Sequence, residues 1–111
     1  LTEAETRLID QNISFQPKAV GDWNELPEDF RRLIRKRAFV RIASNPDKVG
    51  IVYNWGKAGT NTWSYKITYQ GRDYLIIYLV RGKTAEIILI GTKDEVMNTT
   101  KARIEYQSKK P

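Results

Sequence analysis

Two apolar runs, DYLIIYLV (73–80) and AEIILIG (85–91), joined through RGKT, constrain this chain more than any other feature of it. Each reads as a strand, and the short glycine-containing link between them has the composition of a hairpin turn. Neither run alternates cleanly between apolar and polar residues. Strands that are apolar on both sides need cover on both, so helices are expected over one face of the sheet and over part of the other. Just upstream, WSYKITY does alternate, with Trp63, Tyr65, Ile67 and Tyr69 on one side and Ser64, Lys66 and Thr68 on the other, the pattern of a half-buried strand. Gln70, Gly71 and Arg72 make a tight connection, so three strands form an antiparallel meander. IVYNW (51–55) is a further short strand, and GKAGTN (56–61) a loop by its glycines and polar residues.

The first half of the chain has a helical period. Thr2 and Glu5 stand at capping-box spacing, which starts a short helix ending near Asn12 with Leu8 and Ile9 docked. Ile13 to Phe15 is a candidate short strand. Pro17 opens a segment in which Ala19, Val20, Trp23 and Leu26 share one helix face, with Gly21 weakening it by about 1 kcal/mol relative to alanine. The clearest helix starts at Pro27, places Glu28 and Asp29 at the positive end of its dipole, and stops at Asn45 and Pro46. Its buried stripe is expected to be Phe30, Leu33, Ile34, Ala38 and Ile42. Between these lie Arg31, Arg32, Arg35, Lys36, Arg37 and Arg41, six cations with no acidic residue among them. After Gly91, Thr92 and Glu95 repeat the capping-box spacing and open a last helix from Lys93 to about Tyr106, followed by the frayed tail QSKKP. One α+β domain spanning residues 1–111 is expected, N-terminal helices packed on an antiparallel meander with a short C-terminal helix.

The side-chain inventory narrows the chemistry. Cysteine and histidine are both absent from the 111 residues. Disulfides, thiol nucleophiles and thiolate metal sites go with the one, and the usual acid-base residue near neutral pH goes with the other. Neither a cofactor nor a metal is expected, and no apolar run is long enough to cross a membrane. The net charge of +6 is unevenly spread. Residues 1–30 carry seven acidic groups against Arg7 and Lys18, a net of −5, and the rest carries 17 basic against 6 acidic groups, a net of +11. Such a field attracts polyanions or an acidic protein partner.

The order of a helical hairpin ending at NP, then YKI, DYLIIYLV and EIILIGTKDEV resembles the RelE/ParE superfamily of bacterial toxin-antitoxin toxins. The resemblance runs from about Ile13 to Met97. It rests on Trp23, Leu26 and Pro27 before the long helix, on the strand Tyr74-Leu75-Ile76-Ile77-Tyr78, and on the exit from Ile90 and Gly91 to Val96. Three positions depart from the family's motifs. Leu75 stands where the strand has arginine, Thr92 where the exit has histidine, and Met97 where it has tyrosine.

The resemblance implies a cytoplasmic toxin that binds the ribosome and cuts messenger RNA, neutralised by an acidic antitoxin. Its partners would be that antitoxin, messenger RNA and ribosomal RNA, with no membrane. In such cleavage the ribose 2′-hydroxyl attacks the adjacent phosphate, which needs cations for the phosphorane charge and groups that move protons. Lys66 matches the basic strand position and Lys93 the basic exit position, so these two are the leading catalytic candidates. Arg72 and Arg81 are candidates for the charge that Leu75 lacks. The helix cations Arg31, Arg32, Arg35, Lys36, Arg37 and Arg41 are candidates for RNA or antitoxin contact. Trp55, Trp63 and Tyr69 are weighed as base-stacking residues against a core role, and Glu95 as a general base against a helix cap. Two other readings stand beside the ribonuclease: a non-enzymatic ParE-like inhibitor of DNA gyrase, and the ribonuclease domain of a larger secreted antibacterial toxin, the latter suggested by the start at Leu1 and the acidic N-terminal stretch.

Overall fold

A computed structural model describes residues 1–52, 61–96 and 99. The chain opens with α1 (Glu3–Asn12), whose capping box forms as the spacing of Thr2 and Glu5 predicts. The Glu5 amide donates to Thr2 Oγ1 at 3.0 Å and the Thr2 amide donates to the Glu5 carboxylate at 2.9 Å. The Thr2 amide and then the Thr2 side chain, with smaller parts from the charges of the N-terminus and Lys36, hold the Glu5 carboxyl below its ordinary range. Ile9 is the buried anchor of this helix. β1 (Ile13–Phe15) follows without a loop, then α2 (Pro17–Glu25), which buries Ala19 and leaves Val20 exposed. The apolar face of α2 is therefore Ala19, Trp23 and the flanking Leu26, narrower by one residue than the spacing suggests.

The long helix runs in three parts, α3 (Glu28–Leu33), a π-helical stretch (Ile34–Phe39) and α4 (Val40–Ser44). In the wider turn the Val40 amide reaches back five residues to the Arg35 carbonyl. The residue added to that turn delays the phase of the inward face. Phe30, Ile34, Ala38 and Ile42 are buried as the periodicity predicts, Phe39 and Ala43 join them, and Leu33 is half-buried. Phe39 then stacks on Trp23 (5.3 Å between centroids, 20°) and meets Phe15 edge-on (5.8 Å, 72°), tying the long helix to α2 and β1.

The sheet has five strands in the order β1-β5-β4-β3-β2, with β2 (Ile51–Val52), β3 (Thr62–Tyr69), β4 (Arg72–Arg81) and β5 (Thr84–Thr92). The expected meander is present as β3, β4 and β5, antiparallel throughout. β1 adds to it in parallel against Ala85 to Ile87, so the whole sheet is mixed. Gln70 (φ 50) and Gly71 (φ 74) alone close the hairpin between the paired residues Tyr69 and Arg72. Two successive positive φ angles are what a type I′ turn demands, which places Arg72 in β4 and not in the turn. Beyond β1, the outer edge of β5 is closed by α2, where Asp22 Oδ2 accepts from the Ile90 amide at 3.2 Å.

One face of the sheet is covered by the helices and part of the other by the chain after β5, as two-sided apolar strands require. The helices bury Ile67, Ile76, Tyr78, Ala85, Ile87 and Ile90 on one face. On the other, Ile77, Ile88, Leu89 and Val96 form a smaller cluster with Leu75 and Leu79. A β-bulge makes that second cluster: the register passes from Ile77↔Leu89 to Tyr78↔Ile87, so Ile88 is the extra residue and two consecutive side chains point to the far face. Val96 belongs to a helical turn at 93–96 that folds back over β5. The remainder of the expected C-terminal helix, most of IVYNW and GKAGTN, Trp55, Met97 and the tail lie outside the described residues.

Tyr78 fixes the segment after α4. Its ring is fully buried and its hydroxyl donates to the Pro46 carbonyl at 2.9 Å. Burial, reinforced by the charge of Asp47, pushes its phenol up to about 12. Tyr69 shifts in the same direction, first because its hydroxyl donates to the Asp29 carboxylate (2.8 Å to Oδ2). Groups raised above an unfolded value of about 10 hold their stabilisation complete below that pH and lose it as pH rises through the folded value. In a spectrophotometric alkaline titration Tyr78 should therefore ionise above the ordinary tyrosine range while the chain stays folded, and stability should fall between about pH 10 and about pH 12. Tyr78→Phe should flatten that loss, and an unchanged alkaline unfolding curve would contradict the assignment.

Candidate functional site

Where the long helix passes the free edge of β3, three cations from distant parts of the sequence line one open cleft of about 420 Å³. Arg41 comes from α4, Lys66 from β3 and Lys93 from the turn after β5. One carboxylate, Asp73, faces them among the described lining. Local structure explains each placement. The period of β3 turns Lys66 to the face away from the helices, where it pairs across the sheet with Leu75, which pairs in turn with Gly91. Thr92 Oγ1 accepts from the Glu95 amide at 3.4 Å and starts the helical turn that carries Lys93. Gly91 has no side chain, and the Glu95 side chain occupies the space: a Cβ there would lie 2.9 Å from Glu95 Oε2. Glu95 is thus explained by its place in the cap.

The opposite wall is Val49, Gly50 and Ile51. Besides the Tyr78 bond to Pro46, it is held by the Ser64 hydroxyl, which donates to the Ile51 carbonyl at 3.4 Å. Gly50 lies so close that a Cβ would sit 2.5 Å from Tyr78 Oη and 2.7 Å from the Ser64 carbonyl. Only glycine lets the backbone approach there. Ile51 is 75% exposed and gives the mouth of the cleft an apolar surface.

Arg41 Nη1 donates to Tyr65 Oη at 3.3 Å, which brings a half-buried tyrosine into the lining. Asp73 Oδ1 accepts from Thr68 Oγ1 at 2.8 Å. A second cleft of about 500 Å³ shares Asp73 and Lys93 with the first and adds Arg72, Thr92, Asp94 and Glu95. The two clefts adjoin at Asp73 and Lys93, with Arg41 and Lys66 lining the first and Arg72 the second.

Arg81 does not join them. It lies at the other end of β4 from Arg72, about 30 Å away by strand rise, and its guanidinium is 3.7 Å from the Glu86 carboxylate. Arg31 and Arg35 are half-buried, and Arg32, Lys36 and Arg37 are exposed along the helix leading to Arg41. Among the described residues none of the six helix cations forms an ion pair. The two described aromatic candidates pack against the core: Tyr69 stacks on Phe30 (4.1 Å, 2°), and Trp63 lies half-buried against the helix side. No motif position in the sequence marks Tyr65, Asp73 or Gly50 for this cleft, and Arg41 reads there as one of the helix cations. No group of three potential metal-ligating side chains occurs among the described residues, and no described helix is long and apolar enough to cross a membrane.

No protein-family model and no curated protein sequence matches the chain. Solved structures do. A double arginine-to-alanine mutant of the E. coli toxin RelE in the free state superposes with a TM-score of 0.61 at 20% identity, over 84% of this chain and 96% of that one. The fold is RelE-like. The isolated E. coli RelE toxin agrees, with a TM-score of 0.55 at 20% identity over 84% of this chain and 97% of that one. The RelE-like frame accounts for the arrangement of the helices and the meander.

Proposed function

We propose that the protein is the toxin of a toxin-antitoxin pair and an endoribonuclease that cuts messenger RNA on the ribosome. The observation that carries this reading is the convergence of Arg41, Lys66 and Lys93 on one cleft of a RelE-like fold. Three cations facing a single carboxylate hold a phosphodiester and stabilise the extra negative charge that develops as a 2′-oxygen adds to phosphorus. Arg72 borders the adjoining cleft, where it and Lys93 stand beside Asp73, Asp94 and Glu95, so it is the weaker candidate for a neighbouring phosphate. Ile51 offers a base an apolar surface at the mouth. The basic helix face is the natural place for ribosomal RNA or for an acidic segment of the antitoxin.

Purified protein added to a translating extract should yield truncated messages cut within the codon in the ribosomal A site. Intact messages at high protein dose would contradict the reading. One observation favours a second: Leu75, an apolar residue, sits between Lys66 and Gly91 on the floor of the cleft. A non-enzymatic inhibitor of DNA gyrase would tolerate that floor. A supercoiling assay without ribosomes separates the two, since only the inhibitor slows gyrase there.

A further inference from the structure

Cleavage by a 2′-hydroxyl leaves a 5′-oxygen that must take up a proton, and the cleft has few groups able to give one. The Ser64 hydroxyl spends its proton on the Ile51 carbonyl. Arg41 brings a guanidinium, which serves as a fixed cation and hydrogen-bond donor and not as an acid. Lys66 and Lys93 are most useful as cations, because an ammonium that gives up its proton loses its charge while the phosphorane still needs it. Tyr65 differs from all of these. β2 pairs only with Trp63 and Ser64, so Tyr65 is the first residue of β3 beyond it. Its oxygen accepts from Arg41 at 3.3 Å, and Tyr65 stands with Arg41 in the lining of the cleft although its ring packs on the helix side of the sheet.

We propose that Tyr65 is the general acid of this cleft, protonating the leaving 5′-oxygen, an inference that rests on the ribonuclease reading above. The 2′-oxygen forms its bond to phosphorus and passes its proton to Asp73, the one carboxylate of the described lining. The bond from phosphorus to the 5′-oxygen breaks, its electron pair stays on that oxygen, and the Tyr65 proton neutralises it. The products are a 2′,3′-cyclic phosphate, a 5′-hydroxyl, a protonated Asp73 and a tyrosinate held by Arg41, and proton return through solvent resets the pair.

The test uses synthetic messages on programmed ribosomes, one with the ordinary 5′-oxygen at the scissile link and one with sulfur in its place. A thiolate, whose parent thiol has a pKa of about 8.5, departs without protonation. Tyr65→Phe keeps the ring and should slow cleavage of the oxygen link by about 10²- to 10⁴-fold, while cutting the sulfur link within about threefold of the wild-type rate. Equal slowing of both links would make Tyr65 a structural support for Arg41 and overturn the proposal, as would undiminished cleavage of the oxygen link. Wild-type protein that cuts neither link would overturn the ribonuclease reading and this proposal with it.

Discussion

Replacing Lys66 and Lys93 together by alanine should abolish growth arrest on expression and lower message cleavage by at least about 10³-fold. Loss of a single preorganised donor to a charge that develops in the transition state typically costs about 10²- to 10³-fold, and here two of the three cations of the cleft are removed. The fold should not suffer. Both side chains are exposed and neither has an ion pair among the described residues, and such surface changes are usually within about 0.5 kcal/mol. Circular dichroism and thermal melting of the double variant should therefore match the wild type. Arg81→Ala is the matched control, since its ion pair with Glu86 lies at the far end of β4, and its toxicity should be unchanged. Equal toxicity of the double variant and the wild type would show that the chemistry is elsewhere.

The largest loss of stability is expected from Phe39→Ala, about 3 to 5 kcal/mol by denaturant unfolding. Phe39 is fully buried and packs against both Trp23 and Phe15. Its removal opens a cavity where α2, β1 and the long helix meet, far from any group that could relax into it without uncoupling those elements. Against a total stability of about 5 to 15 kcal/mol for an ordinary domain, that loss should leave a much reduced folded population at growth temperature. A cost below about 1 kcal/mol would mean that the π-helical turn does not place Phe39 in the core.

That residue also marks where the sequence ceases to be legible. A regular 3.6-residue period puts Phe30, Ile34, Ala38 and Ile42 inside, which the structure bears out, but no local propensity announces the wider turn that brings in Phe39 and Ala43. The same holds for the bulge at Ile88, because an unbroken apolar run looks identical in either register. The strands, the capping box at Thr2 and the helix stop before Asn45 are short-range features, and their residues declare them. Val20 shows the limit of face assignment on a short helix, where one position decides whether a side chain is covered. For the cleft, Lys66 and Lys93 are visible through their motif positions, whereas their meeting with Arg41 is set by how the long helix crosses β3. Arg41 and Tyr65 are 24 residues apart, and nothing local to either one indicates that they touch.

The chemistry of the cut ends tests the central assignment most directly. An end-labelled message on programmed ribosomes, incubated with wild-type protein and with the Lys66→Ala, Lys93→Ala double variant, should give fragments ending in a 2′,3′-cyclic phosphate with the wild type alone. Fragments with other ends, the same fragments from the double variant, or an uncut message with the wild type would contradict a ribonuclease site built from Arg41, Lys66 and Lys93.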